Sequence, residues 1–276
     1  MLRHILLTRF NLATPGREAR LRARPDWLAG RFELFERYCL PSVAAQTDRD
    51  FAWIIFYDDQ TEDWARARIA EQQKVVPFHA VFTPMFPGRK WAAFTRLTIG
   101  PPQAGRTVVT SNLDSDDGLA SDYVARVKRI VAETTLPRPY AINFENGLIL
   151  HDGAGYWHRH LHNAFTNLVE DDTPAMRTSN SVDHVVLFDT VPVAQERGPP
   201  AWLQVIHGSN VSNKIRGRLL RQIDPRWFPP AVIGARRPVS LPRLLLENGL
   251  VLPLRTLRDR AIDLVRPIVR PLIEGR

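Results

Sequence analysis

Two apolar runs that end in acidic residues constrain the fold of this 276-residue chain more than any other feature. FAWIIFYDD (51–59) and RTVVTSNLD (106–114) are of strand length, and FAWIIFYDD is apolar without alternation. A continuous apolar strand is buried on both faces, as in a parallel sheet covered by helices. Ligands of such sheets bind in the crevice outside the carboxyl ends of the strands. The sequence therefore predicts an α/β fold with a ligand site beside Asp58, Asp59 and Asp114.

Helix and strand patterns alternate around these two runs. HILLTRFNL (4–12) predicts a first strand, whereas EDWARARIAEQQ (62–73) and GRKWAAFTRLTIG (88–100) predict helices. ARPDWLAGRFELFERYCLPSVAAQ predicts a helix that is interrupted at Pro41, because proline cannot donate the helical hydrogen bond. This alternation is typical of a doubly wound sheet.

The second half of the chain has a different pattern. PYAINFENGLIL and GYWHRHLHN are two strand-like runs on either side of Asp152 and Gly153, which is typical of a hairpin turn. We therefore predict a sheet that is mixed rather than entirely parallel.

The positive charge of the chain is concentrated near its carboxyl end. Residues 1–213 hold 23 Lys and Arg against 24 Asp and Glu, whereas residues 214–276 hold 14 against 5. We divide the chain into a domain, 1–213, and a basic, proline-punctuated helical extension, 214–276. The near-neutral domain argues against a nucleic-acid partner, despite a pI near 10.2. The extension is expected to be either a solvated, Arg-rich helix that packs on the domain or a surface that contacts anionic lipid.

Cysteine content and hydropathy indicate the compartment. The single cysteine, Cys39, cannot form an intramolecular disulfide, and no apolar run approaches the roughly 20 residues that span a bilayer. The apolar run ILL near the start is too short for a signal peptide. We expect a cytoplasmic protein whose contact with the inner face of the membrane is peripheral.

The segment LDSDD places three carboxylates within four positions after a strand. Asp114, Asp116 and Asp117 repel one another, so solvent, a helix end or a metal ion must offset the repulsion. A hard divalent cation, completed by substrate phosphates and water, suits such a cluster. A loop whose acids simply precede a helix is the alternative.

Several motifs come in the order and spacing of a known enzyme family. LPSVAAQTDRDFAWIIFYDDQTED resembles the nucleotide-binding start of the inverting GT-A glycosyltransferases, in which a strand ends in D-D-x-[ST]-x-D. TRFN (8–11) is similar to the Thr-x-Asn region of their first strand, and LDSDD is similar to their D-x-D. Together with WLQVIHGSNVSN (202–213), these motifs resemble a bacterial group of rhamnosyltransferases over most of residues 1–213. Gln60 stands where the general family usually has glycine.

The resemblance implies the GT-A fold, a nucleoside-diphosphate sugar as donor, and Mn²⁺ or Mg²⁺ as cofactor. The residues expected to bind the nucleotide sugar are Thr8, Asn11, Asp58, Asp59 and Asp114, with Lys90 or Arg96 paired to the diphosphate. Asp116 is implied to hold the metal, and His207 is a candidate for an additional ligand. A metal at this position stabilises charge on the leaving nucleoside diphosphate.

An inverting transfer also needs a base that takes the proton of the acceptor hydroxyl. The resemblance implies an acid from the second half of the chain, and the candidates are Asp183, Glu145, Asp171 and Asp172. We select Asp183 in SNSVDHV, where an aspartate is equally suited to cap a helix.

Three histidines alternate in WHRHLH, so His158, His160 and His162 would share one face of a strand. Three imidazoles can bind zinc, but neighbouring strand residues seldom converge on a tetrahedral ion. We favour a strand that faces solvent or the acceptor.

These features predict metal-dependent transfer of a sugar, with rhamnose as one candidate, to a glycan or lipid-linked glycan acceptor, with inversion. One alternative is a non-catalytic binding module with a GT-A-like fold. A basic nucleic-acid-binding protein is the other, and it fits the near-neutral residues 1–213 less well.

Overall fold

A seven-stranded mixed sheet and a five-stranded sheet form the framework of the chain. The structure, a computed structural model, describes residues 1–13, 22, 24, 26–84, 90–181, 183–207, 214–234, 237–259 and 261–262. The strands of the large sheet are β1 Leu2–Arg9, β2 Ala52–Asp58, β3 His79–Thr83, β4 Thr107–Asn112, β6 Tyr140–Phe144, β9 Asn167–Asp171 and β10 Val193–Glu196. Those of the small sheet are β5 Gly118–Leu119, β7 Asn146–His151, β8 Ala154–Arg159, β11 Trp202–Val205 and β12 Arg218–Leu219.

The spatial order of the large sheet is β10-β6-β9-β4-β1-β2-β3. Strands β1 to β4 are parallel, and β9 runs antiparallel to both of its neighbours, β4 and β6. The chain therefore reverses its winding direction between β1 and β4, which is a topological switch point. The predicted mixed sheet is confirmed.

Helices cover both faces of this sheet. The α-helices of the described residues, including those that pack elsewhere, are α1 Trp27–Leu34, α2 Leu40–Ala44, α3 Asp63–Val75, α4 Lys90–Ile99, α5 Tyr123–Glu133, α6 His184–Thr190, α7 Pro230–Ile233 and α8 Leu241–Leu246. Leu6 and Ile55 pack in the core beneath α1, α3 and α5, whereas Ile5 and Phe56 pack on the opposite face against Trp91 of α4. Burial on both faces explains the continuous apolar runs, and it confirms the doubly wound arrangement.

The interruption predicted at Pro41 is a π-helical turn, Phe35–Cys39, between α1 and α2. The wider turn accommodates a residue that has no backbone N–H to donate. The hairpin prediction is also confirmed, because β7 and β8 pair antiparallel around Asp152 and Gly153, whose φ angles are 45° and 78°.

The predicted boundary after Asn213, itself outside the described residues, does not separate two structural units. β12 pairs with β8, and Ile223, Phe228 and Val232 pack in one cluster with Leu148 and Leu203 of the small sheet. The first part of the predicted extension is therefore integral to the fold. Within the described ranges, no helix is long and apolar enough to cross a bilayer.

A buried series of side-chain hydrogen bonds runs across the large sheet from His4 in β1 to Asn167 in β9. His4 Nε2 lies 2.7 Å from Ser111 Oγ, and the Ser111 hydroxyl donates to Asn167 Oδ1. His4 Nε2 is therefore the donor to Ser111. Burial, reinforced by the charge of Lys128, lowers the pKa of His4 to about 3.

We predict that His4 makes the free energy of unfolding fall between pH 7 and pH 5. The native imidazole stays neutral, whereas the unfolded chain takes up a proton below the ordinary pKa of 6.5. Stability is therefore lost as the pH falls from about 6.5 towards 3, by about 2 kcal/mol at pH 5. Urea denaturation at both pH values should show that His4→Gln removes this part of the loss, whereas His79→Gln, at an exposed position, should not. The same pH dependence in His4→Gln and the wild type would contradict the assignment.

Candidate functional site

The carboxyl ends of β1 and β2 are joined by the side chain of Asn11. Its Oδ1 accepts the backbone N–H of Asp58 at 3.1 Å, and its Nδ2 donates to Thr61 Oγ1 at 3.1 Å. The Thr61 hydroxyl in turn donates to the Asp58 carbonyl at 2.6 Å. Asn11 is buried, so it fixes the turn after β2 rather than reaching into solvent.

Asp58 directs its carboxylate to two donors. Its Oδ2 accepts from Arg22 at 2.5 Å, and its Oδ1 accepts the Gln60 N–H at 2.9 Å. Burial alone would raise the pKa of Asp58, but the Gln60 amide and the Arg22 guanidinium more than offset it and lower the pKa. The charged carboxylate is thus stabilised beside the turn. Asp59 is more loosely held, and its carboxylate accepts only the Gln60 side-chain amide, at 3.2 Å, among the hydrogen bonds found in the described residues.

Gln60 does not need the conformational freedom of the glycine usual at this place. Among the described non-glycine residues, only Asp152 has a positive φ. The Gln60 backbone therefore adopts an ordinary conformation, and its N–H is used by Asp58.

Asp116 and His207, the two predicted metal ligands, lie together although 91 positions separate them. His207 Nε2 is 2.8 Å from Asp116 Oδ2, and Arg31 of α1 lies 3.1 Å from the same oxygen. Arg31 also donates to Ser115 Oγ at 2.7 Å. Burial raises the pKa of Asp116, but Arg31 and His207 together outweigh burial and lower it.

The small sheet explains this contact. β5 follows the LDSDD segment and pairs antiparallel with β11, with Leu119 opposite Trp202 and Gly118 opposite Leu203. Because the two strands are antiparallel, the residues before β5, which include Asp116, lie next to the residues after β11, which include His207. The Val205 N–H donates to Asp117 Oδ1 at 2.8 Å and fixes this alignment.

Asp117 is part of this support rather than of an open site. It is 4% exposed, and burial, reinforced by the charges of Asp116 and Asp114, raises its pKa well above its usual range. The neutral form is favoured, which reduces the repulsion within the three-carboxylate cluster.

The donor set at Asp116 and His207 fits a hard divalent ion in part. Neighbouring ligands of an octahedral ion with bonds of about 2.1 Å lie roughly 3 Å apart, close to the observed 2.8 Å. A carboxylate and an imidazole leave the other positions for phosphate oxygens and water. Within the part of the chain that the structure describes, no group of three or more His, Cys, Asp or Glu side chains could hold a metal ion.

A cleft of about 490 Å³, here called the edge cleft, opens at the carboxyl end of β4. The residues that line it are Arg9, Trp91, Asn112, Asp114, Ala164, Thr166, Ser179, Asn180, Ser181, Asp183 and His184. It brings Asp114 and Asp183 to one space. A larger cavity of about 580 Å³ lies elsewhere, between the β7–β8 turn and residues 220–239, and none of the acidic motifs lines it. The chemistry therefore favours the edge cleft.

Asp183 caps α6, because its Oδ1 accepts the Val185 N–H at 2.8 Å. Its side chain is nevertheless 64% exposed, so the carboxylate still reaches solvent in the edge cleft. The geometry therefore allows Asp183 to act both as the cap of α6 and as the base.

The other candidate bases are held by arginines. The Glu145 side chain is 1% exposed and bonds Arg159 at 2.6 Å and Arg197 at 3.2 Å. The Asp172 side chain is fully buried and bonds Arg96 and Arg106. Asp171 is exposed at the end of β9, opposite the start of β4, and its carboxylate pairs with Arg138.

Two expected donor contacts lie away from the edge cleft. Arg96 is near the end of α4, and its bond to Asp172 places it by the amino end of β4, opposite the acidic strand ends. Thr8 has no exposed area, and its hydroxyl accepts the Trp53 indole N–H at 2.9 Å. Neither side chain faces a ligand in this arrangement. Lys90, in contrast, is exposed at the start of α4, next to Trp91 of the edge cleft.

Three residues that the sequence did not single out belong to the site. Arg9 ends β1 and lines the edge cleft; its position at a strand end was the available signal. Asn180 donates to Asn112 Oδ1 at 2.7 Å and fixes the wall of the cleft. Arg31 had no local signal, because its partner Asp116 is 85 positions away.

A doubly wound sheet with a switch point between β1 and β4, and with acidic turns at the ends of β2 and β4, defines a GT-A-like glycosyltransferase. The chain belongs to the family described as "Putative rhamnosyl transferase", whose match covers residues 3–219. No match to a curated protein was found.

Solved structures resemble the chain only distantly. S. aureus TarS, residues 1–349, is 7% identical, with 74% of this chain and 60% of that chain covered and a TM-score of 0.45. A second S. aureus TarS structure is 8% identical, with 74% and 37% covered and a TM-score of 0.43. The inositol-1-phosphate CTP transferase from T. maritima is 10% identical, with 76% and 92% covered and a TM-score of 0.36. The chain thus spans about three fifths of the TarS 1–349 chain and about two fifths of the second TarS chain.

We predict that Thr8 supports the fold rather than the ligand. Thr8→Val removes the acceptor of a buried indole N–H and should lower the free energy of unfolding by about 1–3 kcal/mol. Thr8→Ser keeps the hydroxyl and should lower the free energy of unfolding clearly less than Thr8→Val does. Urea denaturation measures the stability, and titration with nucleoside diphosphates should give wild-type affinity for both folded variants. Weaker nucleotide binding at unchanged stability would restore the predicted ligand role.

Proposed function

We propose that the chain transfers a sugar from a nucleoside-diphosphate sugar to a glycan or lipid-linked glycan acceptor, with inversion and with Mn²⁺ or Mg²⁺ as cofactor. The observation that carries the proposal is the 2.8 Å approach of His207 to Asp116, two positions after Asp114 of the edge cleft. The family's description makes a rhamnose nucleotide the first donor to test. The Asp58–Asn11 turn at the end of β2 is the proposed support for the base or ribose.

Asp116 and His207 would hold the divalent ion, which supplies Lewis-acid stabilisation of the leaving diphosphate when bound. Arg9 contributes a cationic side chain to the lining of the edge cleft. Arg31 keeps Asp116 ionised before the ion binds. Asp114, in the same cleft, is proposed to contact the ribose or a metal-bound water.

Asp183 is the proposed general base. One of its oxygens accepts the Val185 N–H, which orients the carboxylate and leaves the other oxygen for a substrate proton. The acceptor oxygen would form a bond to the anomeric carbon as the bond from that carbon to the diphosphate oxygen breaks. The hydroxyl proton passes to Asp183, and the nucleoside diphosphate leaves with the electron pair. Attack opposite the leaving group inverts the anomeric carbon.

We predict that one nucleoside diphosphate raises the thermal unfolding midpoint only when a divalent ion is present. Three nucleoside diphosphates, UDP, dTDP and GDP, and one nucleoside monophosphate, CMP, are each compared with and without Mn²⁺. A ligand at 100 times its dissociation constant adds about 2.7 kcal/mol of stability. Asp116→Ala and His207→Ala should lose the metal-dependent part of the shift. Asp171→Ala, which removes an exposed carboxylate from β9, is the matched control and should keep it.

Two outcomes of this titration would contradict the proposal. Absence of a shift with every nucleotide would argue for a non-catalytic module. A full shift in Asp116→Ala would remove the metal assignment while leaving nucleotide binding in place.

Membrane contact through the C-terminal helix is the second part of the proposal. α8 continues through a π-helical turn, Glu247–Val251, into a helix over 252–259. Asn248 exchanges two hydrogen bonds with the backbone of Leu219 in β12, at 2.9 and 3.0 Å, which holds one side of the helix to the small sheet. Large apolar side chains that remain at least 45% exposed on this helix are Leu241, Leu245, Leu246, Leu250, Leu254, Leu257 and Ile262.

The spacing of these exposed leucines gives the helix an apolar stripe along which Leu250, Leu254 and Leu257 are successive members. The surrounding sequence is basic, with 14 Lys and Arg against 5 Asp and Glu from residue 214 onwards. An apolar stripe on a basic helix suits the interface of an anionic bilayer. We therefore propose that the protein works at the cytoplasmic face of the membrane. The part of the predicted stripe beyond Ile262 lies outside the described residues.

We predict that the protein co-sediments with vesicles of phosphatidylcholine and about one third phosphatidylglycerol, and less at high salt. Replacing Leu250, Leu254 and Leu257 by Ser should reduce the partition coefficient by about tenfold or more, because apolar burial is worth about 0.8 kcal/mol per CH₂. Leu97→Ser, which removes a leucine that is 79% exposed on α4, is the control and should bind normally. Equal binding of the triple variant and the wild type would exclude this surface.

A further inference from the structure

A second cleft of about 260 Å³ adjoins the edge cleft and shares Ala164 and His184 with it. We name it the histidine cleft after the side chains that give it its character. These are His158, His160, His162, His184, Lys214 and Arg216. Its position next to Asp183 makes it continuous with the proposed site of proton removal.

The histidines do not lie on one strand as the sequence suggested. His158 is in β8, which ends at Arg159, whereas His160 and His162 lie in the turn that follows. His184 comes from α6. Two separate parts of the chain, the end of β8 with the turn after it and the start of α6, therefore bring imidazoles to one cleft. The rings of His158 and His160 are 5.5 Å apart.

Nitrogen donors dominate the lining, and none of the described residues that line the cleft is an aspartate or glutamate. The nearby carboxylates have other partners. Asp259 bonds Arg258 at 2.9 Å and is 3.9 Å from Arg216, so it neutralises Arg216 only weakly. Glu145 is shielded by two arginines, and Asp183 lies 3.7 Å from His184 at the rim.

The positive charge of the cleft comes from its two basic side chains, Lys214 and Arg216. Burial, reinforced by His160 and Arg216, lowers the pKa of His158 to about 4. Burial and Arg216 also lower the pKa of His160. A cleft that combines two cationic side chains with the ring N–H groups of several histidines is suited to oxygen atoms that carry negative charge.

The back of the cleft is rigid. Trp202 stacks on Phe165 with ring centroids 5.2 Å apart and donates its indole N–H to the Phe144 carbonyl at 2.9 Å. Gly147 makes room for this ring, because a Cβ at that position would lie 2.0 Å from Trp202. Trp202 and Phe165 therefore form a closely packed back wall of the cleft.

We propose that the histidine cleft binds an anionic group of the acceptor, a phosphate or a carboxylate, and thereby holds the acceptor hydroxyl near Asp183. The inference rests on the proposed function and narrows its acceptor to an anionic glycan or a phosphate-linked one. Lys214 and Arg216 provide the charge, and the imidazoles provide the directional hydrogen bonds.

The test uses the full chain labelled with ¹³C at histidine and follows the imidazole signals, assigned by single His→Gln variants. The edge cleft and metal site are first saturated with the nucleoside diphosphate that binds and with Mg²⁺. Methyl phosphate, methyl glucuronide and methyl glucoside are then titrated separately. The signals of His158, His160 and His184 should move with one or both anions, and the neutral glucoside should need at least a tenfold higher concentration. Phosphate preference indicates a phosphate-linked acceptor, and glucuronide preference indicates an acidic glycan.

Lys214→Ala combined with Arg216→Ala should weaken anion binding by about tenfold or more and leave nucleoside diphosphate binding within about twofold. Arg218→Ala, a basic residue of β12 outside the cleft, is the matched control and should change neither. The wild-type titration decides the question even if the double variant does not fold.

Equal affinity for the glucoside and the anions, or shifts confined to histidines outside the cleft, would overturn the proposal. If anions bind the cleft while no nucleoside diphosphate binds at all, the proposed function fails and the anion site remains. If nucleoside diphosphates bind and the anions do not, the inference of an anionic acceptor fails and the proposed function stands.

Discussion

The mutual repulsion of Asp114, Asp116 and Asp117 is the constraint on which the site depends. The fold offsets it differently at each position. Arg31 and His207 favour the charged form of Asp116, whereas burial favours the neutral form of Asp117, which accepts the Val205 amide. Asp114 remains at the wall of the edge cleft. A cluster of three like acids thus becomes one buried support, one paired carboxylate and one carboxylate at an opening.

This arrangement requires both sheets. The large sheet brings the ends of β1, β2 and β4 to one edge, and the small sheet brings His207 and Val205 to the acidic segment through the pairing of β5 with β11. Loss of the β5–β11 register would separate Asp116 from His207 and leave Asp117 without its amide donor. The part of the chain that follows β9 therefore completes a site whose acids belong to the first half. The edge cleft is lined by both parts of the chain, whereas the histidine cleft is lined by residues between 149 and 216.

The sequence predicted the parts of this site that depend on local pattern. Continuous apolar runs identify strands buried on both faces, and the acids after those runs must then lie at one edge of a parallel sheet. Long-range contacts left no such signal. Arg31 reaches Asp116 only because α1 packs over the sheet. Thr8, which pairs with Ile55 in β2, is buried and accepts the indole N–H of Trp53. Arg96 lies at the wrong end of α4, since ten residues of helix span about 15 Å. The charge pattern behind the predicted boundary likewise gave no signal that Phe228 is buried, because net charge does not report packing.

The central claim is that the edge beside Asp116 and His207 binds a nucleoside diphosphate together with a divalent ion. A crystal structure grown with the nucleotide and Mn²⁺, with anomalous data collected at the manganese absorption edge, tests it most directly. The account predicts one manganese peak within bonding distance of Asp116 Oδ2, His207 Nε2 and the diphosphate oxygens, with the nucleoside towards Asp58. Nucleotide in the larger cavity near Ile223, or manganese away from Asp116, would contradict it.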